Sequence, residues 1–219
     1  TVIGEEDWAN GWKQNFHPSR IGRRVVIKPT WEEFTPGTGD IVIELDPGLA
    51  FGTGTHATTR MCLDVMEAIF FCDPPFDATS HPRPVAVLDV GTGSGILSIG
   101  AAKFGAPRVV AIDIDERAVA VTEENLALNA VHGVEASTTP LSRVTGSYGV
   151  VLANILAEEL VRLADELVAR VAPGGFLILS GILAEREEFV RAGFAPFPLE
   201  LAAVRHEEEW SCLCYQVRP

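Results

Sequence analysis

Basic residues are scarce in this sequence of 219 residues: Lys and Arg number 17 against 30 Asp and Glu, for a formal net charge of −13. A general nucleic-acid binder needs a basic footprint, so no stable nucleic-acid binding is expected. An acidic surface suits a basic partner, such as a lysine-rich protein, because opposite fields steer encounter. Cysteines are few. Cys62, Cys72, Cys212 and Cys214 are the four, and no two stand in C-x-x-C spacing. The usual zinc and dithiol signatures are therefore missing, and free thiols suit a reducing cytoplasm. No apolar stretch reaches about 18 residues, so neither a membrane span nor a signal peptide is predicted. Internal repeats and low-complexity tracts are also lacking. What remains is a globular composition, 47% hydrophobic with 20 Gly and 14 Pro, in a chain long enough for one sizeable core.

The order of patterns divides the chain near residue 84. Acids at the start and Trp8, Trp12 and Phe16 at helical spacing predict a helix over Glu5–Phe16. Short strands are predicted over Arg23–Pro29 and Asp40–Leu45, then a glycine-rich structured loop over Asp46–Thr55 and a helix over His56–Phe71. Cys72–Pro84 carries Pro74, Pro75, Pro82 and Pro84 and reads as a linker. From there strands alternate with helices. Strands are predicted over Pro84–Val90, Arg108–Asp113, Val134–Ala136, Tyr148–Asn154 and Phe176–Ser180. Helices are predicted over Ser94–Phe104, Asp115–Asn129, Ala157–Val171 and Ala184–Ala192. Pro173-Gly174-Gly175 reads as a turn. Two further strands in the tail, joined around Glu207–Glu209, predict an antiparallel edge on a parallel sheet.

Leu88-Asp89-Val90-Gly91-Thr92-Gly93-Ser94-Gly95 ends a buried strand and opens a helix. Glycines there permit a tight turn and bring backbone amides close to a ligand. The spacing is G-x-G-x-G. A dinucleotide fingerprint wants a third glycine where Ile96 stands, and no G-K-[ST] follows, so neither a pyrophosphate nor a triphosphate cradle is supported. Asp113 lies where a carboxylate takes ribose hydroxyls in a doubly wound fold, whereas Asp115 suits a helix cap. Together they point to an adenosine-containing cofactor. Asn154 ends the Tyr148–Asn154 strand at the sheet edge where ligands bind. Its amide carbonyl suits an attacking amine without adding charge, and helix capping is the alternative. The loop Asp46–Thr59 (DPGLAFGTGTHATT) suits closure over a cofactor, with His56 either catalytic or a helix cap. At this point a dehydrogenase, a transferase acting on a small molecule or RNA, and a non-catalytic cofactor-fold module all remain open.

These stretches resemble the class I S-adenosylmethionine-dependent methyltransferases and, within them, the catalytic domain of the ribosomal protein L11 methyltransferase family. The resemblance rests on Glu5–Trp12, Asp46–Thr59, LDVGTGSG at Leu88–Gly95, Asp113–Asp115, NILAE at Asn154–Glu158, Pro173–Gly175 and Ser180–Ile182. It implies an α/β Rossmann-like fold: a mostly parallel, twisted seven-stranded sheet with an antiparallel C-terminal edge strand and helices on both faces. Residues 84–219 would be the S-adenosylmethionine-binding core. Residues 1–83 would hold an N-terminal helix, small strands and a cofactor-covering loop and helix packed on it. The family's separate N-terminal substrate-recognition domain is expected to be absent from this sequence, which opens at Thr1, either because the chain is cut or because it is a short relative whose acceptor has drifted. The implied activity is methylation of α-amino and lysine ε-amino groups on ribosomal protein L11, with S-adenosyl-L-methionine as cofactor and no metal. The candidate cofactor-binding residues are Thr53, His56, Asp89, Gly91, Thr92, Gly93, Gly95, Asp113, Ile114 and Asn154, and Asn154 is also the catalytic candidate. The turn Ser137–Leu141 departs from the family pattern, and no residue there is assigned to the adenine.

Overall fold

Apolar runs without alternation form strands only where both faces of a sheet are covered. A computed structural model describes residues 17–45, 54, 56–76 and 86–218. The predicted helix over Glu5–Phe16 and most of the loop Asp46–Thr55, Thr53 included, lie outside them. The elements are β1 (Ser19–Ile21), β2 (Val25–Pro29), β3 (Ile41–Leu45), α1 (Ala57–Phe71), β4 (Val87–Val90), α2 (Ile96–Lys103), β5 (Val109–Ile112), α3 (Glu116–Leu128), β6 (Val134–Ser137), β7 (Tyr148–Asn154), α4 (Ala157–Arg162), α5 (Ala164–Arg170), β8 (Val171–Leu183), α6 (Glu187–Phe194), β9 (Leu199–Glu207) and β10 (Trp210–Val217).

Seven strands form one sheet in the order β6-β5-β4-β7-β8-β10-β9. β4, β5, β6, β7 and β8 run parallel, and β10 is antiparallel to both β8 and β9. This is the predicted fold, including its antiparallel C-terminal edge. Successive residues of the central strands enter opposite cores. Val87, Val109, Val150 and Leu152 join one cluster, while Leu88, Val110, Val151 and Ala153 join the other. That period of two explains why these strands are apolar throughout.

β1, β2 and β3 make a separate small sheet, with β1 antiparallel to β2 and β2 parallel to β3. Its Ile21, Val25, Ile27, Ile43 and Leu45 belong to the same buried cluster as Val87 and Ile99 of the larger unit. β1 is not foreseen because three residues with one buried apolar side chain give no periodicity to read.

Two local expectations change. The helix predicted over Ala157–Val171 bends at Leu163 (φ −95°, ψ 5°) into α4 and α5. Leu163 N–H still donates to Glu159 O, and Leu167 N–H to Leu163 O, both at 2.9 Å. Leu160 and Leu167, seven residues apart and so on one face, are both completely buried. Pro173-Gly174-Gly175 does not separate helix from strand but bulges within β8. The register steps from Tyr148↔Val171 to Val150↔Phe176, so four residues oppose Gly149 alone. A Cβ at Gly175 would lie 2.9 Å from both Ala172 O and Gly149 O, so the bulge has no room for a side chain at that position.

Candidate active site

In an open parallel sheet, ligands bind beyond the carboxyl ends of the strands, where chain order reverses. Here that point lies between β4 and β7, neighbours in space but far apart in sequence. The loop after β4 is held by backbone hydrogen bonds, two to the end of β5 and one within itself. Gly91 N–H and Thr92 N–H donate to Ile112 O at 2.9 and 3.1 Å, and Gly95 N–H donates to Thr92 O at 2.9 Å. Gly91, Gly93 and Gly95 have φ of +76°, +57° and +81°, a region L-residues avoid. From α3, Thr122 Oγ1 donates to Gly93 O at 3.1 Å and Asn125 Nδ2 to Ser94 O at 2.8 Å.

A crevice of about 480 Å³ opens against this loop, within the usual range for a small-molecule site. Of the predicted residues it gathers Gly91, Gly93, Asp113, Ile114 and Asn154. Asp113 Oδ2 accepts from Gly93 N–H and Oδ1 from Asp115 N–H, each at 3.0 Å. A carboxylate has about four acceptor sites, so both oxygens can still receive hydroxyl donors. Ile114, beside it, is 99% exposed, a bare apolar surface at the crevice wall. Asn154 is half-buried at the end of β7.

Asp89, Thr92 and Gly95, predicted to bind the cofactor, brace the loop from behind instead of lining the crevice. Asp89 is fully buried, and its Oδ2 accepts from Thr92 Oγ1 at 2.8 Å and Ser98 Oγ at 2.7 Å. Its Oδ1 has no hydrogen-bond partner among the described residues. Burial pushes the Asp89 carboxyl up to about 6, against the lowering effect of the two hydroxyls. Gly95 packs on Thr122, where a Cβ would come within 2.9 Å of a methyl. His56 does not line the crevice either. It caps α1: its Nδ1 accepts from Thr58 N–H at 3.4 Å, and the ring meets Trp210 edge-on at 5.0 Å. Gly54 is wedged between Ile27 and Ile96, beside the start of α2.

The opposite wall is not foreseen from the sequence. Thr139, Pro140, Leu141 and Ser142 after β6, and Ile155, Glu159, Arg162, Leu163 and Glu166 around α4 and α5, complete the crevice. Glu159, Arg162 and Glu166 repeat at three and four residues, a helical face that surface helices commonly carry. A cleft elsewhere holds Arg20, Arg60 and Arg205, but each guanidinium is paired, with Asp40, Glu207 and Asp64 respectively. Among the described residues no cluster of His, Cys, Asp or Glu has metal-binding geometry, and no helix is long and apolar enough to cross a membrane.

The profile of the family described as ribosomal protein L11 methyltransferase (PrmA) matches residues 1–218. The chain belongs to the ribosomal protein L11 methyltransferase family. A member from Geotalea uraniireducens is 64% identical over 99% of this chain and 69% of its own length. A solved ribosomal protein L11 methylase from Lactobacillus delbrueckii subsp. bulgaricus is 32% identical, covers 93% of this chain and 100% of its own, and superposes with a TM-score of 0.81. Beyond the family, magnesium protoporphyrin IX methyltransferase from Synechocystis, solved with bound S-adenosylmethionine, shares the fold at 21% identity and a TM-score of 0.56, over 73% of this chain and 82% of that one. The L11 methyltransferase family thus accounts for the Gly91–Gly95 loop and for the sheet order as those of a class I methyltransferase.

Proposed function

We propose that this chain moves a methyl group from S-adenosyl-L-methionine to amino groups of ribosomal protein L11, the α-amine and lysine ε-amines, in the cytoplasm. The observation that carries the reading is that Gly91, Gly93, Asp113 and Asn154, from three different strand ends, line one crevice. The acceptor rests on the name borne by relatives that are 53–64% identical. Residues 84–219 act as the cofactor-binding core and residues 1–83 as a cover, and the buried cluster they share supports the packing of one on the other.

The residues present fit the cofactor. Gly91 offers a wall without a side chain, since a Cβ there would stand 2.5 Å from Ile155 Cγ2. Asp113 has acceptor capacity left for ribose hydroxyls, and Ile114, Pro140 and Leu141 offer apolar surface for a planar base. Thr53 and His56 belong to the covering loop. Asp89 and Thr92 support the reading by bracing the glycine turn from behind.

When bound, the cofactor supplies a methyl group made electrophilic by its sulfonium. Asn154 then accepts an N–H of the incoming amine through its side-chain carbonyl and turns the nitrogen toward the crevice. The amine must be neutral. Reference values are about 10.4 for a lysine amine and about 7.7–8.0 for an α-amine, so desolvation has less to do for the α-amine. Water at the mouth takes the proton, and no side-chain base is required.

Two measurements test this. Calorimetry with S-adenosylmethionine and NAD should show binding of the first alone; binding of NAD instead overturns the cofactor. Labelled methyl should pass to purified L11; its failure to do so, with the cofactor bound, overturns the acceptor.

A further inference from the structure

Asn154 and Ile155 form the turn that leaves β7 for α4, and Ile155 is gripped from two sides by residues without side chains. On one side is Gly91, whose added Cβ would meet only Ile155 Cγ2. On the other is Gly181, at φ +80° near the end of β8. A Cβ there would lie 2.4 Å from Ile155 O, 3.0 Å from its carbonyl carbon and 3.1 Å from its N. The two contacts differ in kind. A side-chain methyl can rotate away, whereas a peptide moves only if the whole turn moves. Nor is β8 free to give way. Ser180 is the register partner of Asn154, and its hydroxyl lies 3.3 Å from Thr58 O on α1. Ile182 is fully buried and pairs with Ser211 of β10.

We infer that Gly181 is a positioning residue for amino-group methylation: its missing side chain lets the Asn154–Ile155 peptide seat directly on β8, and that seat aims the Asn154 amide at the crevice. The inference rests on the proposed role of Asn154 in orienting the amine. Gly181 does not line the crevice, so its influence passes through the turn. Transfer between two held groups is steep in geometry: a displacement of about 1 Å can cost about a hundredfold in rate. A methyl at position 181 forces a shift of that order.

The experiment is a double-mutant cycle in the full chain, with Gly181→Ala, Asn154→Ala and the pair, assayed for methyl transfer to L11 at saturating S-adenosylmethionine. Gly181→Ala should lower kcat at least about tenfold, while the Kd for S-adenosylhomocysteine moves less than about threefold. In the Asn154→Ala background it should lower kcat no further. A multiplied loss, an unchanged kcat, or a loss confined to cofactor affinity overturns the inference. If Gly181→Ala does not fold, Ile155→Ala is no substitute, because Ile155 lines the crevice itself. That variant alters the crevice wall and not the seat, so the second variant is Ser180→Ala, which frees β8 from α1 beneath the turn without adding an atom. It should lower kcat, with no further loss in the Asn154→Ala background, and an unchanged kcat overturns the seat. A wild-type chain that binds cofactor but transfers nothing overturns the functional reading itself, a result distinct from an additive cycle.

Discussion

The Asp113 carboxylate is tied to the glycine loop by one hydrogen bond, in which Oδ2 accepts from the Gly93 N–H at 3.0 Å. The tip of β5 thereby fixes the turn after β4, and one side chain both shapes the crevice and offers its remaining acceptor sites to a ligand. Asp113→Asn keeps a single carbonyl acceptor and sets an NH₂ against a backbone donor. Hydrogen bonds to charged groups are worth about 1.5–3 kcal/mol, and about 1.4 kcal/mol is tenfold in affinity. The variant should therefore bind S-adenosylhomocysteine about ten- to a hundredfold more weakly by calorimetry. An unchanged Kd would take Asp113 out of the binding site.

Asn154 tests the other half of the crevice. Among the described residues its side-chain amide makes no hydrogen bond, so it is available to an acceptor amine. Asn154→Ala should lower kcat about a hundredfold while cofactor affinity changes only a few-fold. Single-turnover methyl transfer together with calorimetry separates the two effects. Collapse of affinity with turnover of the bound complex preserved would mean that Asn154 serves the cofactor and not the amine.

The small sheet depends on a side chain that imitates a strand. At the free edge of β3, Glu44 N–H donates to Asn129 Oδ1 at 2.9 Å, and Asn129 Nδ2 donates to Glu44 O at 2.6 Å. Each such bond contributes about 0.5–1.5 kcal/mol net, and an orphaned partner costs more. Asn129→Ala should lower the urea stability by about 2 kcal/mol and speed amide exchange at Glu44. Wild-type exchange at Glu44 in the variant would show that the edge is held by something else.

How far residues announce these features follows from physics. The strands β4, β5 and β7 are legible because burial on both faces leaves nearly continuous apolar runs. Gly91, Gly93 and Gly95 are legible because only a loop needing positive φ concentrates glycine there. Asp89 and Thr92 share that motif, but sequence does not say which polar groups of a loop turn inward, and these two turn toward Ser98. Thr139–Ser142 join the crevice only because β6 pairs with β5, a relation no local pattern encodes. Pro173–Gly175 looks like a turn between elements because its partner, Gly149, lies on another strand. Thr53 and the predicted Glu5–Phe16 helix lie outside the described residues.

Asp89 predicts a pH signature. Burial raises its folded carboxyl to about 6, whereas the free group titrates near 3.8. Between those values the folded state holds a proton that the unfolded state has released, so stability falls as pH rises from about 4 to about 6 and is level above that. The full effect is about 3 kcal/mol for a difference of this size. The amide introduced by Asp89→Asn cannot ionise, yet its carbonyl still accepts from Thr92 and Ser98. The substitution carries some fixed cost or gain from repacking, and that part is independent of pH. The stability of the variant relative to wild type should therefore climb by up to about 3 kcal/mol between about pH 4 and about pH 6 and then stay constant to about pH 8. Urea unfolding of both proteins, without cofactor, at one-unit steps across that range measures it. A difference that is flat across the series would mean that Asp89 is already ionised in the folded protein at the acid end.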